Sequence, residues 1–137
     1  MKNVYVMVYG TLKRNYPNYH YMEIAQGRFI DTATSSDSLY ELIGVGDSFP
    51  GLIGGNSYFK GEIFEVPIEG IVNVLDYLEG YPIMYDRGFI QVNLDSSNEK
   101  IDALVYFLTE DSIEKMNRLS KESNKLIYEN NCYSWVV

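Results

Sequence analysis

The first apolar run of the sequence reads Val4-Tyr5-Val6-Met7-Val8-Tyr9-Gly10-Thr11-Leu12. Its β-branched and aromatic residues predict a buried strand that ends at Gly10, because such residues suit a packed, pleated surface. A glycine at a strand exit can adopt a positive φ and lets a ligand approach the main chain closely. The amides that follow can then bind an anion or a carbonyl oxygen. The alternative is a tight turn that binds nothing.

Further strands are predicted along most of the chain, with few helices between them. They are expected at residues 28–34, 38–45, 58–66, 89–94 and 101–108, with turns or loops at 47–51 and 96–98. Short helices are expected at residues 16–26 and 111–119, and residues 130–137 carry mixed turn and strand signals. Clustered strands that outnumber the helices predict an α+β domain with a mostly antiparallel or mixed sheet, open or curled into a barrel.

The longest helix signal begins at Pro67 and ends before Gly80. Proline suits the first helical position, and a glycine followed by Pro82 stops the helix. The apolar residues that share a spacing of three and four are Ile68, Ile71, Val72, Leu75 and Leu78. This spacing predicts one buried helix face.

Glu79 lies in the last turn of this predicted helix, where the helix dipole disfavours a negative charge. If the side chain is shielded, its pKa should rise toward the range in which a carboxyl group moves protons near neutral pH. Asp76, three residues earlier, is placed to face the same way. The alternative for both residues is an ordinary solvated position on the surface.

Tyr85 and Arg87 open the next predicted strand and alternate to the same face of it. Together they could bind a carboxylate, the arginine through its fork of donors. A cross-strand contact or an ion pair inside the protein is an equally good interpretation of the two residues.

Composition and charge exclude several classes of function. The 137 residues carry a formal net charge of −8, which argues against nucleic acid and against an anionic membrane surface as partners. The single cysteine, Cys132, allows no internal disulfide and predicts a reducing, cytoplasmic location. No metal cluster is expected, because His20 and Cys132 are isolated. Neither a secretory signal nor a membrane-spanning segment is predicted, and one domain is expected over residues 1–137.

Five segments, in order along the chain, resemble the gamma-glutamylcyclotransferase-like family. They are Val6-Met7-Val8-Tyr9-Gly10-Thr11-Leu12-Lys13-Arg14, Phe49-Pro50-Gly51-Leu52, Gly61-Glu62-Ile63-Phe64-Glu65-Val66, Leu75-Asp76-x-x-Glu79-Gly80-x-Pro82-x-x-Tyr85-x-Arg87 and Ala103-x-Val105-Tyr106. Pro17-Asn18 extends the first segment toward the gamma-glutamylamine cyclotransferase branch. Any one segment is a weak signal, and five collinear ones are a strong signal.

The resemblance implies a small mixed β-barrel with two or three flanking helices and a cavity at the end of the first strand. It also implies a cofactor-free reaction on a small gamma-glutamyl substrate, in which the α-amine attacks the side-chain carbonyl and releases 5-oxoproline and an amine. By this resemblance Glu79 is the general acid/base. The loop Tyr9-Gly10-Thr11-Leu12 binds the glutamyl group, and Tyr85 and Arg87 line the cavity or hold the loop in shape.

Two other classes of function compete with an enzyme. One is a binding module that holds a small metabolite in the same cavity without turnover, since a fold does not guarantee an activity. The other is a structural or partner-binding protein. Glu79 within its full Leu-Asp-x-x-Glu-Gly context favours the enzyme, because a binding module would be free to lose the acid.

Overall fold

The computed structural model describes residues 2–116 and 123–136. In these ranges the strands are β1 Asn3–Val8, β2 Arg28–Ser35, β3 Tyr40–Val45, β4 Phe49–Gly54, β5 Tyr58–Pro67, β6 Tyr85–Leu94, β7 Lys100–Leu108, β8 Leu126–Glu129 and β9 Cys132–Trp135. The helical segments are α1 Tyr19–Ile24, α2 Ile68–Gly70, a π-helical turn Ile71–Leu75, α3 Asp76–Glu79 and α4 Glu110–Met116. No helix within the described residues is long and apolar enough to cross a membrane.

Five strands close into a barrel in the order β1-β7-β6-β2-β5, because β5 pairs back onto β1. The β1–β7 pair is parallel, and the other four pairs are antiparallel. Buried side chains such as Val6, Phe64 and Leu104 pack in its core. The prediction of a small mixed β-barrel in an α+β fold is therefore confirmed.

Two hairpins are added to the barrel. Strands β8 and β9 form the first, and β9 pairs in parallel with the start of β5 through Tyr58 and Cys132. Strand β9 lies within residues 130–137, which carried mixed signals, whereas β8 precedes them and was not predicted. Trp135 at the end of β9 is buried. Strands β3 and β4 form the second hairpin, a separate two-stranded sheet.

Strand β4 corrects the prediction of a turn at residues 47–51. Only the first part of that segment turns, and Phe49, Pro50 and Gly51 pair with β3. Proline and glycine were interpreted as turn residues, but β4 has a single ladder neighbour and tolerates a residue without an N–H. The consequence is functional, because β4 forms one wall of the cavity described below.

Helices α1 and α4 lie where the sequence predicted helices, but their bounds differ from the predicted ones. Helix α1 is shorter than the predicted 16–26, since residues 16–18 form turns and Gln26 has a φ of 63°. Helix α4 begins one residue before the predicted 111–119, and the end of that prediction lies outside the described residues.

Residues 68–79, named here the central helix, run without a break from α2 through the π-helical turn into α3. The predicted buried face is only partly correct: Ile71 and Leu75 are buried, but Ile68 and Val72 are 40% and 54% exposed. A π-helical turn holds more residues than an α-helical one, so it rotates the buried face away from the α-helical spacing. The helix ends as predicted at Gly80, whose φ of 66° suits glycine.

Candidate active site

A cavity of about 240 Å³ opens at the end of β1, between the β3–β4 hairpin and the end of the central helix. Six of the seven predicted site residues line it, namely Tyr9, Gly10, Thr11, Leu12, Glu79 and Tyr85. The seventh, Arg87, is not among the described residues that form its wall. The structure therefore brings together the loop after β1 and the last turn of the central helix, which are far apart in sequence.

Gly10 has a different role from the one expected. Its φ is not positive, and the glycines with positive φ in the described chain are Gly46 and Gly80. A side chain at this position would instead meet Pro50, because a Cβ atom would lie 2.7 Å from the proline Cδ. Glycine is thus required by the close packing of β4 against the loop.

The loop Tyr9–Leu12 is fixed through the carbonyl groups of Gly10 and Thr11 and the hydroxyl group of Thr11. The carbonyl of Gly10 accepts a hydrogen bond from the Lys13 main-chain amide at 3.2 Å. The main-chain amide of Asn18 donates to the Thr11 carbonyl, and Asn18 Nδ2 donates to Thr11 Oγ1, each at 2.9 Å. The amides of Gly10, Thr11 and Leu12 donate to no group in the described parts of the chain. Because these three residues line the cavity, their amides are candidates to bind a ligand there, and that role stays a prediction.

Glu79 is half-buried, and its carboxyl group faces three tyrosines, Tyr9, Tyr85 and Tyr106. Burial raises the pKa of this carboxyl group to about 7. The rise agrees with the sequence prediction for a shielded side chain, and its cause is desolvation by burial. No described group donates a hydrogen bond to Glu79. Its carboxylate is accordingly free to bind and exchange a proton with a ligand.

The hydroxyl groups of Tyr9 and Tyr85 form hydrogen bonds with main-chain groups and not with Glu79. Tyr9 Oη donates to the Tyr106 carbonyl at 2.7 Å and accepts from the Leu52 amide at 3.2 Å, and Tyr85 Oη donates to the Pro50 carbonyl at 3.0 Å. Burial is the main cause that raises the pKa of Tyr9 and Tyr85 well above the usual value. The neighbouring Tyr85 and then Glu79 raise the pKa of Tyr9 further, and Glu79 does the same for Tyr85. Both phenols stay protonated and hold the β3–β4 hairpin against the barrel.

Arg87 forms a bidentate ion pair with Asp76. Its Nε and Nη2 atoms lie 2.9 and 3.1 Å from the two carboxylate oxygens, and its guanidinium stacks over the Tyr81 ring at 4.2 Å. Tyr106 Oη donates to Asp76 at 2.6 Å. The ion-pair alternative raised for Arg87 is the arrangement found, and Asp76 is buried rather than solvated. Tyr106 was part of a recognised segment, but nothing in the sequence showed that it links Asp76 to the cavity.

The other cations near the loop are engaged outside the cavity. Lys13 Nζ donates to the Trp135 carbonyl at 2.5 Å, and Arg14 pairs with Glu62 at 3.4 Å and stacks on Phe29. Among the described residues that line the cavity, Glu79 is the one carboxylate, and there is no lysine, arginine or histidine. No group of three or more metal-binding side chains is found in the described part of the chain.

The barrel, with a cavity between the loop after β1 and the half-buried Glu79, is that of a gamma-glutamylcyclotransferase-like protein. The family model described as "Gamma-glutamyl cyclotransferase, AIG2-like" matches residues 6–130, and the chain belongs to this family. The resemblance stated from the five segments is confirmed.

Relatives with curated descriptions agree with this assignment. A putative gamma-glutamylcyclotransferase of Drosophila melanogaster is 36% identical over 109 residues, which are 75% of this chain and 68% of the relative. Gamma-glutamylaminecyclotransferase A of Danio rerio is 34% identical over 108 residues, 74% of this chain and 66% of the relative. The chain thus spans about two thirds of the length of both relatives.

A solved structure shows the same fold. The crystal structure of an AIG2-like protein from Mus musculus superposes with a TM-score of 0.73 and 27% sequence identity. The superposition covers 89% of this chain and 87% of the mouse chain.

Proposed function

We propose that this protein is a cofactor-free cyclotransferase that converts a gamma-glutamyl amine or amide to 5-oxoproline and a free amine, with Glu79 as general acid/base. One observation carries the proposal. The carboxyl group of Glu79 has a pKa raised to about 7, lacks a described protein donor, and shares its cavity with three main-chain amides that donate to no described group. Such a cavity supplies a proton acceptor and oxygen-binding donors side by side.

The α-ammonium group of the substrate loses two protons, and Glu79 carries one of them to the departing nitrogen. The Glu79 carboxylate accepts a proton from the α-ammonium group of the substrate, and the free amine attacks the γ-carbonyl carbon. A C–N bond forms, and the carbonyl oxygen takes the negative charge of the tetrahedral stage. Glu79 then gives its proton to the departing nitrogen, and the original C–N bond breaks as the carbonyl forms again. The ring nitrogen releases its remaining extra proton to water, and 5-oxoproline and the amine leave.

The pKa of Glu79 suits both transfers. A carboxyl group near its ordinary value of 4.5 would be a poor acceptor for an ammonium proton, whereas one at about 7 needs a smaller uphill transfer. It is also acidic enough to protonate the leaving nitrogen as the C–N bond breaks. The free amides of Gly10, Thr11 and Leu12 are suited to bind substrate oxygens, including the oxygen that becomes negative. The small cavity favours the folded glutamyl chain in which amine and carbonyl meet.

We predict that activity depends on pH through Glu79. The base must be ionised, so kcat/KM should fall about tenfold per pH unit below about pH 7, the pKa of the buried carboxyl group. Initial rates of 5-oxoproline release between pH 5 and pH 8 test this expectation. An acid limb centred near pH 4.5 would contradict it, because it would mean that the acting carboxyl group is an ordinary exposed one.

We predict that the enzyme prefers leaving amines without a carboxylate. Since no described cation lines the cavity, a second substrate carboxylate would be desolvated without a partner. Gamma-glutamyl-ethylamine and gamma-glutamyl-alanine differ only by that carboxylate, and kcat/KM for the ethylamine should be about 10–100 times higher. Equal values, or a preference for the alanine compound, would favour a gamma-glutamyl amino acid as the substrate type.

The decisive experiment is 5-oxoproline release, measured by mass spectrometry, from a panel of gamma-glutamyl compounds. The panel contains the two compounds above with gamma-glutamyl-lysine, gamma-glutamyl-putrescine and glutathione. Release from at least one compound supports the cyclotransferase. Stabilisation of the fold by a panel compound, without release, would overturn the enzyme and favour the binding module.

A further inference from the structure

Asp76 and Arg87 form a buried polar network with Tyr106 next to the cavity. The carboxylate of Asp76 is buried and accepts three hydrogen bonds, two from Arg87 at 2.9 and 3.1 Å and one from Tyr106 at 2.6 Å. Burying a charge of this kind is costly unless it is paired and fully hydrogen-bonded, and here it is both. The buried charge of Asp76 is therefore compensated within the network, and the position of the network indicates its role.

Each member of the network lies next to a cavity residue. Asp76 is the first residue of α3 and precedes Glu79 by three positions, so the two side chains project from neighbouring points of the helix. Arg87 follows Tyr85 by two positions on the same face of β6. Tyr106 lines the cavity, and its carbonyl accepts the hydrogen bond from Tyr9. The ion pair consequently ties α3, β6 and β7 together behind the candidate catalytic group.

We propose that Asp76 and Arg87 are positioning residues for Glu79, whose ion pair fixes the last turn of the central helix against the barrel and balances the charge beside the acid/base. The inference rests on the proposed function of Glu79. It has two consequences, one electrostatic and one geometric, and they can be separated by experiment.

The electrostatic consequence follows from the groups that face Glu79. These are Tyr9 after β1, Tyr85 on β6 and Tyr106 on β7; the β3–β4 hairpin and the residues 11, 12 and 18 contribute no titratable group to the cavity. Asp76 and Arg87 lie behind this wall, and Tyr106 connects it to them through its hydrogen bond to Asp76. The three tyrosines are neutral at working pH. Asp76 and Arg87 are the ion pair bonded to this wall, so removing one leaves the charge of the other unbalanced.

The two single substitutions should shift the pKa of Glu79 in opposite directions. In Arg87→Met the remaining carboxylate opposes ionisation of Glu79, and the acid limb of the rate profile should move up by about half a pH unit or more. In Asp76→Asn the remaining guanidinium favours ionisation, and the limb should move down by a similar amount. Simple loss of structure cannot produce shifts of opposite sign.

The geometric consequence appears in the double variant Asp76→Asn/Arg87→Met. Its charges are balanced again, so the acid limb should return close to that of the unmodified protein. The turn that carries Glu79 has nevertheless lost its tether, and kcat should stay reduced, about tenfold or more, since small displacements of a catalytic group cost rate. Arg87→Lys keeps the charge but loses the bidentate geometry, so it should also leave the acid limb nearly unchanged while kcat is reduced.

The experiment measures kcat, KM and the acid limb for these variants, together with the pKa of Glu79 by NMR titration of its side-chain carboxyl carbon. The control is Arg28→Met, which breaks the exposed pair of Arg28 and Glu65 and should change none of these quantities. Opposite NMR shifts in the single variants support the inference. Shifts that are absent or of one sign in folded variants would overturn it. Because the NMR readout needs no turnover, a protein that shows the shifts but releases no 5-oxoproline would refute only the proposed function.

Discussion

Glu79→Gln should reduce kcat/KM for 5-oxoproline release by about 10²–10⁴-fold, the usual contribution of a general acid/base. The amide is nearly the same shape as the carboxyl group, so the cavity and its three tyrosines should keep their places. What is lost is the group that accepts the ammonium proton and returns it to the leaving nitrogen. Turnover measured by mass spectrometry with the best compound of the panel tests the expectation.

The same substitution should stabilise the folded protein at alkaline pH. Burial raises the pKa of Glu79 from 4.5 to about 7, so the folded state holds a proton that the unfolded state has released between these two values. Stability therefore falls as the pH rises through this interval, and above pH 7 the charged group costs up to about 3 kcal/mol. Glu79→Gln removes that cost, and its advantage over the unmodified protein should be present at pH 8 and absent at pH 4.

Glu69→Gln is the matched control, because Glu69 lies on the same helix and is exposed. It should alter neither turnover nor the pH dependence of stability. A Glu79→Gln protein that is folded and fully active would remove Glu79 from the mechanism. A variant that is inactive without the stability gain at pH 8 would mean that the carboxyl group is not shielded, and the pH argument would fail while the site assignment stood.

The strands of the barrel were predictable because their signal is local. Residues 4–9, 58–66 and 101–108 alternate or are continuously apolar and β-branched, and each forms a strand within a residue or two of the prediction. The closure of the barrel came from the family resemblance, since pairing of β5 with both β1 and β2 is a long-range property that no single segment expresses.

The part of the candidate site that was predicted best is the part that the family resemblance supplied. Glu79 and the loop Tyr9–Leu12 meet in the cavity as the resemblance implied. The partner of Arg87 was not predictable, because an arginine fork fits a substrate carboxylate and the carboxylate of Asp76 equally well. The π-helical turn decides between them, since it rotates the helix so that Asp76, and not Val72, faces inward. The hydrogen bonds that hold β4 were not predictable either. The main-chain groups of Pro50 and Leu52 lie near the hydroxyl groups of Tyr85 and Tyr9 only in the folded chain.

Gly70→Ala should destabilise the protein by about 2–3 kcal/mol, as overpacking of a tight contact does. Helix propensity alone predicts the opposite, a gain of about 1 kcal/mol, since alanine is the better helix former. The structure decides against propensity because Gly70 is buried where the central helix crosses the end of α1. An added Cβ atom would lie 2.9 Å from the Ala25 carbonyl carbon and closer still to its oxygen. Both contacts are with main chain, which a side-chain rotation cannot relieve.

Urea unfolding of Gly70→Ala beside Gly54→Ala separates the two effects. Gly54 undergoes the same chemical change, but nothing lies within 4 Å of the Cβ atom it would gain, so its unfolding midpoint should barely move. Activity should also fall in Gly70→Ala, because Gly70 and Glu79 belong to one continuous helix and a shift at its start is carried to its last turn. A higher unfolding midpoint in Gly70→Ala would show that the contact between the two helices adjusts at little cost in stability. The placement of Glu79 would then depend on the Asp76–Arg87 ion pair rather than on the packing at the start of the helix.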